Sequence, residues 1–293
     1  MKIRTESVSV AETTLDGIVL DLPLVKRIAS IRSQSASRIT WHSHDCFELL
    51  LATDGATDYE FSDETTVELT GGNFLAVAAG VRHRGNHDVR RPARLSGIMF
   101  DPAIRFATRY TPFTSADIAW MLRQFNAAAH QSRRMSQELR GLVNSLPRDF
   151  SLVDLSKPPA KAVLRLTICA ILMEASKLLE TTRAFEPTQT VDQAIAFMKS
   201  NLIAPESIES IAKAVQCSRA KLFQVFKDST GMTPNDYWQR LRIDRAQELL
   251  RCSEKSITEV ALDCGFSSSQ YFSSVFRKYS GTSPTEFRMS IGE

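Results

Sequence analysis

The sequence lacks the features that mark secreted or membrane-spanning proteins. Its five cysteines are odd in number, widely spread and free of any C-x-x-C pair, a pattern typical of free thiols in a reducing compartment. The N-terminus carries no apolar segment of signal-peptide length, and the longest apolar stretch, around residues 164–173, is too short and interrupted to span a bilayer. We therefore expect a cytoplasmic protein with no membrane partner.

A large excess of charge is also missing. The chain has 36 Lys and Arg against 33 Asp and Glu, a net charge of +3, and a pI near 8.6, which permits nucleic-acid binding without indicating it. Hydrophobic content of 43% and charged content of 24% are ordinary for a globular protein. A chain of 293 residues is long enough for two domains with cores of their own.

One pattern of residues occurs twice near the end of the chain. The positions are Ala212, Leu222, Phe226, Gly231 and Pro234 in the first copy, and Ala261, Phe272, Phe276, Gly281 and Pro284 in the second. A repeated spacing of apolar and turn residues indicates one supersecondary unit built twice. In each copy the two residues that lie four apart share one face of a helix, and the glycine ends that helix.

A shorter helix precedes each of these helices. Residues 207–215 and 256–263 each begin with serine, a preferred N-cap, and the second adds the capping box Ser256-x-x-Glu259. Tight turns at residues 216–218 and 264–267 complete two helix-turn-helix units. Between them, Thr233-Pro234 starts a helix that continues to residue 250. This helix would separate the second helix of one unit from that of the other. Such a separation is needed if the two are to enter successive major grooves, which lie about 34 Å apart.

The second helix of each unit, residues 218–229 and 267–280, is the expected recognition helix. With its apolar residues buried, the first would present Arg219 and Gln224 to base edges and Lys227 to phosphate. The second is rich in serine, so we expect it to position the protein more than to discriminate sequence, with Gln270 as its main reader. The expected DNA-binding residues are Ser218, Arg219, Ala220, Phe223, Gln224, Lys227, Ser268, Ser269, Gln270, Ser273, Ser274 and Arg277. Phe223 either touches a thymine methyl or packs inward.

These residues carry a resemblance to a known family. The matching positions are Ala212, Ser218, Leu222, Phe226-Lys227, Gly231-x-x-Pro234, Arg242-Ile243-x-x-Ala246, Leu249-Leu250, Ile257-x-x-Val260-Ala261, Gly265-Phe266, Tyr271-Phe272-Ser273, Phe276-Arg277 and Gly281-x-Ser283-Pro284-x-x-Phe287-Arg288. Over roughly the last hundred residues the chain resembles the DNA-binding domain of AraC/XylS-type transcriptional regulators. The resemblance implies a homodimer that binds double-stranded DNA and, if it is an activator, RNA polymerase. The alternative is a helical packing module that binds nothing.

The first hundred residues read as short strands. Apolar residues alternate or form β-rich runs between turn signals such as Asp54-Gly55 and Gly71-Gly72. Many short strands at this spacing favour an antiparallel barrel or sandwich. Four of the five histidines fall in this region. On an extended strand, His42, His44, Cys46 and Glu48 would share one side.

This histidine region resembles the paired motifs of the cupin barrel. The matching residues are His42-x-His44-x-x-x-Glu48, Gly55, Gly72 and Gly80-x-x-His83, while Ala78 stands where that pattern usually has proline. Two roles stay open. His42, His44, Cys46, Glu48 and His83 line a pocket for a small-molecule effector, or His42, His44, Glu48 and His83 hold Fe, Mn, Ni or Zn. The sequence favours the pocket, with no cofactor required, and it indicates a surface position for His87 and His130.

The middle of the chain shows helical periodicity from residue 114 to 182. Its apolar stripes either pack on the barrel or pair two subunits. Residues 183–189, with Pro187, are typical of a linker. We therefore expect a two-domain α+β protein: a cupin-like sensing barrel at 1–110, a helical connector and dimerisation region at 111–186, and an all-α tandem helix-turn-helix domain at 187–293.

Three functions fit this architecture. The favoured one is a non-enzymatic transcriptional regulator that senses a small molecule in its barrel. The second is a metal-dependent cupin enzyme whose helical tail mediates association. The third is a regulator controlled only by protein partners. Sequence-selective DNA binding would separate the enzyme from both regulators, and a ligand-induced change in that binding would separate the two regulators.

Overall fold

The computed structural model describes residues 10–128, 130–180, 189–203 and 207–290. The N-terminal part is built on strands, as predicted. They are β1 (Val10–Asp16), β2 (Val25–Ser33), β3 (Ser37–Arg38), β4 (Phe47–Phe61), β5 (Thr66–Thr70), β6 (Asn73–Val77), β7 (His83–Gly85), β8 (Val89–Arg90), β9 (Ala93–Phe100) and β10 (Ser132–Arg134).

The long strand β4 organises the sheet. The main sheet runs β1-β2-β9-β4-β6-β10, and β5 and β7 also pair with β4, so within the described residues four strands bond to it. Fifteen residues give β4 enough length to pair with β6 near Glu48 and with β5 and β7 beyond Gly55. All these pairings are antiparallel, which agrees with the barrel or sandwich expected from the strand spacing.

Three helices cover this sheet: α1 (Ser115–Ala127), α2 (Gln137–Ser145) and α3 (Pro158–Glu180). Thr114 and Asp117 form the capping box that begins α1. Strand β10 interrupts the helical middle region because residues 132–134 pair with β6, and this strand was not predicted. One apolar core joins Leu49 and Phe100 of the sheet to Phe125 of α1 and Ile168 of α3. The helices therefore form a single packed unit with the barrel.

The C-terminal part is helical throughout its described residues. Its helices are α4 (Gln189–Ser200), α5 (Ile208–Ala214), α6 (Arg219–Thr230), α7 (Pro234–Cys252), α8 (Ile257–Asp263), α9 (Ser269–Ser280) and α10 (Pro284–Met289). They enclose a second core that includes Leu222, Phe226, Phe272 and Phe276. Most of the predicted linker, and the domain boundary at 186, lie outside the described residues.

The two parts pack against each other. Ala56 of β4 is 2% exposed and belongs to the helical core cluster, although it lies on a barrel strand. Among the described residues no helix is both long and apolar enough to cross a membrane.

Candidate DNA-binding surface and barrel site

Each helix-turn-helix unit starts with a capped short helix. The Ser207 hydroxyl accepts the Ser210 N–H at the start of α5, and Ser256 and Glu259 form the predicted capping box of α8. The connecting turns contain left-handed residues, Gln216 with φ 53° and Gly265 with φ 77°. Both units thus have the local structure that the repeat predicts.

The first recognition helix, α6, buries one face and exposes the other. Ser218 caps it, and Leu222 and Phe226 are fully buried. Gly231 ends it in the left-handed region at φ 67°. Arg219 and Gln224 lie exposed, as do Ala220 and Lys227. The face predicted to read DNA is therefore accessible.

Phe223 packs partly inward and supports Arg219. Its half-buried ring packs against the helical core, which favours the inward alternative over a thymine contact. The Arg219 guanidinium carbon lies 5.6 Å from the centre of that ring, and Nη1 lies 2.7 Å from Glu209 Oε1. These two contacts hold the Arg219 side chain at the first turn of α6.

The second recognition helix, α9, begins at Ser269, two residues later than predicted, because Ser268 serves as its N-cap. The hydroxyls of Ser273 and Ser274 donate to the carbonyls of Ser269 and Gln270, four residues earlier. Gln270 is exposed. Arg277 is also exposed, and its Nη2 lies 3.4 Å from Glu286 Oε2. These serine hydroxyls already donate within the helix, which supports a positioning role for this face.

Two exposed side chains lie next to these faces but are not among the DNA-binding residues expected from the sequence. Lys221 lies in the first turn of α6, three residues before Gln224. Tyr271 is 49% exposed in α9, and its hydroxyl accepts a 2.7 Å hydrogen bond from Gln239 of α7. The first turns of recognition helices contact base edges in helix-turn-helix proteins. The sequence positions of Lys221 and Tyr271 could therefore have identified both as candidate DNA contacts.

Helix α7 separates the two recognition helices as predicted. Thr233 caps it, Pro234 occupies its first turn, and its 19 residues correspond to about 28 Å of helix length. Ile243 and Ala246, fully buried, fix it in the helical core. The spacing of the two units is thus set by one rigid element.

The barrel brings three of the predicted histidines together. His42, His44 and His83 each offer a ring nitrogen, and these nitrogens lie within 4.8 Å of one another. The ring centres of His42 and His83 are 4.3 Å apart, and a backbone bridge joins the same two residues. His83 lies on β7, which pairs with the far end of β4. The cluster therefore combines one segment before β4 with the strand beside its end.

The hydrogen bonds of the imidazoles fix their tautomers. His42 Nδ1 lies 2.8 Å from the Thr40 carbonyl oxygen, and His83 Nδ1 lies 3.1 Å from that of Val81. A carbonyl oxygen can only accept, so each Nδ1 carries a proton. In the neutral rings both Nε2 atoms then carry a lone pair. This arrangement, with the second ring nitrogen bonded to a backbone carbonyl, is typical of metal-binding histidines.

Glu48 closes the cluster. Its Oε2 lies 3.2 Å from His83 Nε2 and 3.7 Å from His44 Nε2. His83 is 1% exposed, and neither its Nε2 nor this carboxylate oxygen has a well-formed hydrogen bond among the described residues. The lone pair of His83 Nε2 and the Glu48 carboxylate oxygen repel each other when they are buried side by side. A cation between them, either a proton or a metal ion, would remove this repulsion.

The electrostatics of the cluster keep Glu48 ionised. Burial by itself would raise the pKa of Glu48, but its contact with His83 and the neighbouring His44 and His42 rings outweigh it and lower that pKa. Burial lowers the pKa of His44, against an opposing effect of Glu48. A carboxylate and neutral imidazoles form a mixed O and N donor set that fits Fe, Mn, Ni or Zn.

Other residues of this region lie elsewhere. Cys46 is buried but is not part of the group of clustered ligand atoms, because β4 begins only at Phe47 and residues 43–46 do not alternate as a strand would. His87 is exposed as predicted. The surface prediction for His130 is wrong, since its ring stacks on the buried Phe61 at 4.3 Å and is half-buried.

Comparison with known proteins matches both halves of the chain. Residues 27–155 match the AraC-like ligand binding domain, and residues 211–290 match a helix-turn-helix domain. The HTH-type transcriptional activator RhaS of Shigella sonnei is 26% identical over 84% of this chain and 86% of its own length. RhaR of Mannheimia succiniciproducens, also an HTH-type transcriptional activator, is 25% identical with the same coverage.

A solved structure is also similar in sequence. A transcriptional regulator with an AraC-type DNA-binding domain from Chromobacterium violaceum is 36% identical over 36% of this chain and 93% of its own, with a TM-score of 0.34. An effector-type barrel followed by tandem helix-turn-helix units defines a ligand-responsive DNA-binding regulator. The chain belongs to the AraC/XylS family of transcriptional regulators.

Proposed function

We propose that this regulator is a cytoplasmic homodimer that activates transcription when a small molecule binds its barrel, and that it has no enzymatic activity. The observation that carries the proposal is the pair of exposed recognition faces on α6 and α9, joined by the single helix α7. Its five cysteines are free, which agrees with a reducing compartment. The relatives named as activators support activation and hence contact with RNA polymerase.

The reading of DNA is divided unequally. Arg219, held by Glu209, and the exposed Gln224 contact base edges, while Lys227 contacts phosphate. On α9, Gln270 reads a base, and Ser268, Ser269, Ser273, Ser274 and Arg277 orient the second unit. Ser218 and Ala220 let the first turn of α6 approach the groove closely.

The barrel site is the sensor. The sequence alone favours a pocket without metal, whereas the free Nε2 atoms and the ionised Glu48 support a cation in the cluster. His42, His44, Glu48 and His83 would hold a divalent metal ion, which would supply a Lewis-acidic anchor for an oxygen-bearing effector. The buried rings of Tyr59 and Phe61 lie about His83 and provide an apolar wall.

Helix α3 provides the surface for a second copy. Val163 and Leu166 are 60% and 61% exposed, and Ala170 and Met173 continue the same 3-4-3 spacing. Ala170 and Met173 also line a groove of about 720 Å³ between α2 and α3. A helix that repeats apolar residues at this spacing on its outer face fits the same helix of another subunit, because a twofold pair buries both stripes together.

Two substitutions on α6 test the mode of DNA binding. Gln224→Ala removes a reader and is expected to cost about 1–3 kcal/mol on the preferred sequence with little effect on random DNA. Lys227→Ala removes a phosphate contact and should weaken binding to all DNA alike and reduce its salt dependence. Titration of the full chain against preferred and random duplexes at two salt concentrations measures both. If each variant loses affinity equally for the two duplexes, the assignment is wrong.

A further inference from the structure

The barrel and the helical domain meet through a group of charges with a buried centre, which we call the interdomain network. Arg91, Asp58 and Glu68 come from the barrel, and Arg240 and Asp244 come from α7. Arg240 is 6% exposed, and Arg91 and Asp58 are each 8% exposed. Charged side chains are almost never this buried unless they are paired.

Each arginine of the interdomain network pairs with at least one acid of the other domain. Arg91 Nη2 lies 2.5 Å from Asp244 Oδ1, and its Nη1 lies 3.4 Å from Asp58 Oδ2. Arg240 forms an ion pair with Glu68, and its Nη2 lies 3.5 Å from Asp58 Oδ1. Separation of the domains would therefore break ion pairs on both arginines.

The interdomain network is only partly satisfied. Nε and Nη1 of Arg240 and Nη1 of Arg91 are buried without a well-formed hydrogen bond among the described residues. Burial of a guanidinium is costly when its donors are unpaired, so the charges do not lock the domains irreversibly. Such a contact fits a reversible docking surface better than a permanent core.

Backbone contacts place the ends of both recognition helices against the barrel. A Cβ added to Gly231, which ends α6, would overlap the Cα of Gly71. The N–H of Gly55 on β4 donates to the Gly231 carbonyl at 3.2 Å, and the N–H of Ala36 donates to the Lys278 carbonyl of α9 at 3.0 Å. The barrel thus holds the C-terminal ends of α6 and α9, and the exposed residues of their first turns stay uncovered.

One strand joins this surface to the sensor site. Glu48 lies at the start of β4, whereas Gly55, Ala56 and Asp58 lie further along it. The buried His83 pairs with Phe61, the last residue of the same strand. A change in the position of β4 at the histidine cluster therefore acts on a rigid element that also carries Asp58.

We propose that the interdomain network is the joint through which the state of the histidine cluster controls the orientation of the DNA-binding domain. The coupling part of this inference rests on the proposed regulatory function, while the docking part stands by itself. The docked arrangement is the one that binds DNA, because both recognition faces are exposed in it. Loss of the network releases the helical domain and removes the control.

Hydrogen exchange of the full chain tests the docking part. Arg240→Met should raise exchange of the Gly55 and Ala36 N–H groups by about tenfold or more, because both donate hydrogen bonds across the interface. Arg245→Met on the same helix is the control, since Arg245 is exposed and forms its ion pair with Glu248 within α7. Glu68→Gln, at a residue whose side chain is 41% exposed, tests the same contact without the loss of a buried arginine. Unchanged exchange in both network variants would overturn the inference.

A double-mutant cycle tests the coupling part. Glu48→Gln alters the sensor site and should change DNA affinity in the otherwise natural chain but not in the Arg240→Met background. An equal effect in both backgrounds, or none in either, would overturn the coupling. If instead no variant and not even the natural chain binds DNA, while exchange still rises in Arg240→Met, the proposed regulatory function fails and the docking surface stands.

Discussion

At the scale of single residues, similar side chains differ in function because their neighbours differ. Arg219 and Arg240 are both arginines of the helical domain, yet one is exposed and the other buried. Burial disfavours the charged form of Arg240, but the charges of Glu68, Asp58 and Asp244 outweigh it and raise its pKa. Arg219 is therefore available to DNA, whereas Arg240 belongs to the domain contact.

The histidine cluster gives a prediction on metal content. Protein purified without chelator or a metal-affinity column should contain close to one Fe, Mn, Ni or Zn per chain, and His44→Ala and Glu48→Gln should both lose most of it. Elemental analysis measures this directly. Cys46→Ala is the matched control, because Cys46 is buried nearby but lies outside the cluster.

The metal affinity of the cluster should fall in acid. Protons compete with a metal for imidazole nitrogens, and because burial lowers the pKa of His44, this residue resists protonation until below its ordinary range near pH 6.5. Metal binding is thus expected to be complete at neutral pH and to be lost as the pH falls below about 6. A metal-free protein at neutral pH, or equal metal content in all variants, would contradict metal binding by the cluster.

Residue types predicted this site better than strand parity did. The resemblance to the paired cupin motifs grouped His42, His44 and His83, and the structure places these three side chains in one cluster although His83 lies 39 positions after His44. Cys46 was grouped with them on the assumption that residues 42–48 form one extended strand. The strand β4 begins only at Phe47, so Cys46 lies outside the cluster. The stacking of His130 on Phe61 joins residues 69 positions apart, and no local pattern reports such a contact.

At the scale of secondary-structure elements, the two glycine caps are a matched pair. Gly231 and Gly281 end α6 and α9 with φ of 67° and 79°. A Cβ on Gly281 would meet the Ala36 methyl at 3.4 Å, whereas one on Gly231 would overlap the Gly71 backbone. The caps are alike in backbone conformation but differ in their contact with the barrel.

This difference predicts unequal costs of substitution. Gly281→Ala should lower the free energy of unfolding by about 1–2 kcal/mol, the cost of a left-handed conformation for alanine. Gly231→Ala should cost more, because its methyl group also forces the two backbones apart. Denaturant unfolding followed by helical circular dichroism measures both. Equal losses in the two variants would show that the Gly71 contact contributes nothing.

The helices were easier to predict than the strands. Serine and threonine caps, prolines at first turns and terminal glycines are local signals, so α5 to α9 lie within about two residues of their predicted ends. Strand β10 has three residues, two of them arginine, and it forms only because β6 offers a free edge. Its existence depends on tertiary packing, which the sequence does not display.

At the scale of the whole molecule, the α3 surface predicts the oligomeric state. Leu166→Glu places a charge in the middle of the exposed stripe and should convert a dimer to a monomer and weaken binding to DNA that carries two sites. Leu152→Glu is the control, because Leu152 is 82% exposed but lies off α3. Sedimentation velocity at several concentrations distinguishes the states. A Leu166→Glu variant that remains dimeric would move the interface elsewhere.

The arrangement of the domains could not be predicted from the sequence. The interdomain network joins residues from positions 58 to 244, and charged residues show no periodicity that would mark them as buried. The family matches at residues 27–155 and 211–290 identify the two types of domain but do not show how the domains contact each other. The barrel and the tandem units are local patterns, whereas docking depends on complementary surfaces.

Selection of DNA from a random pool by this chain is the decisive test of DNA reading by α6 and α9. Two exposed recognition helices on one rigid spacer predict a single enriched motif with two segments about 10 base pairs apart, the segment read by α6 being the more strictly specified. Gln224→Ala should lose specificity in that segment alone. An enriched pool without any motif, or one unchanged by Gln224→Ala and Gln270→Ala together, would contradict the account.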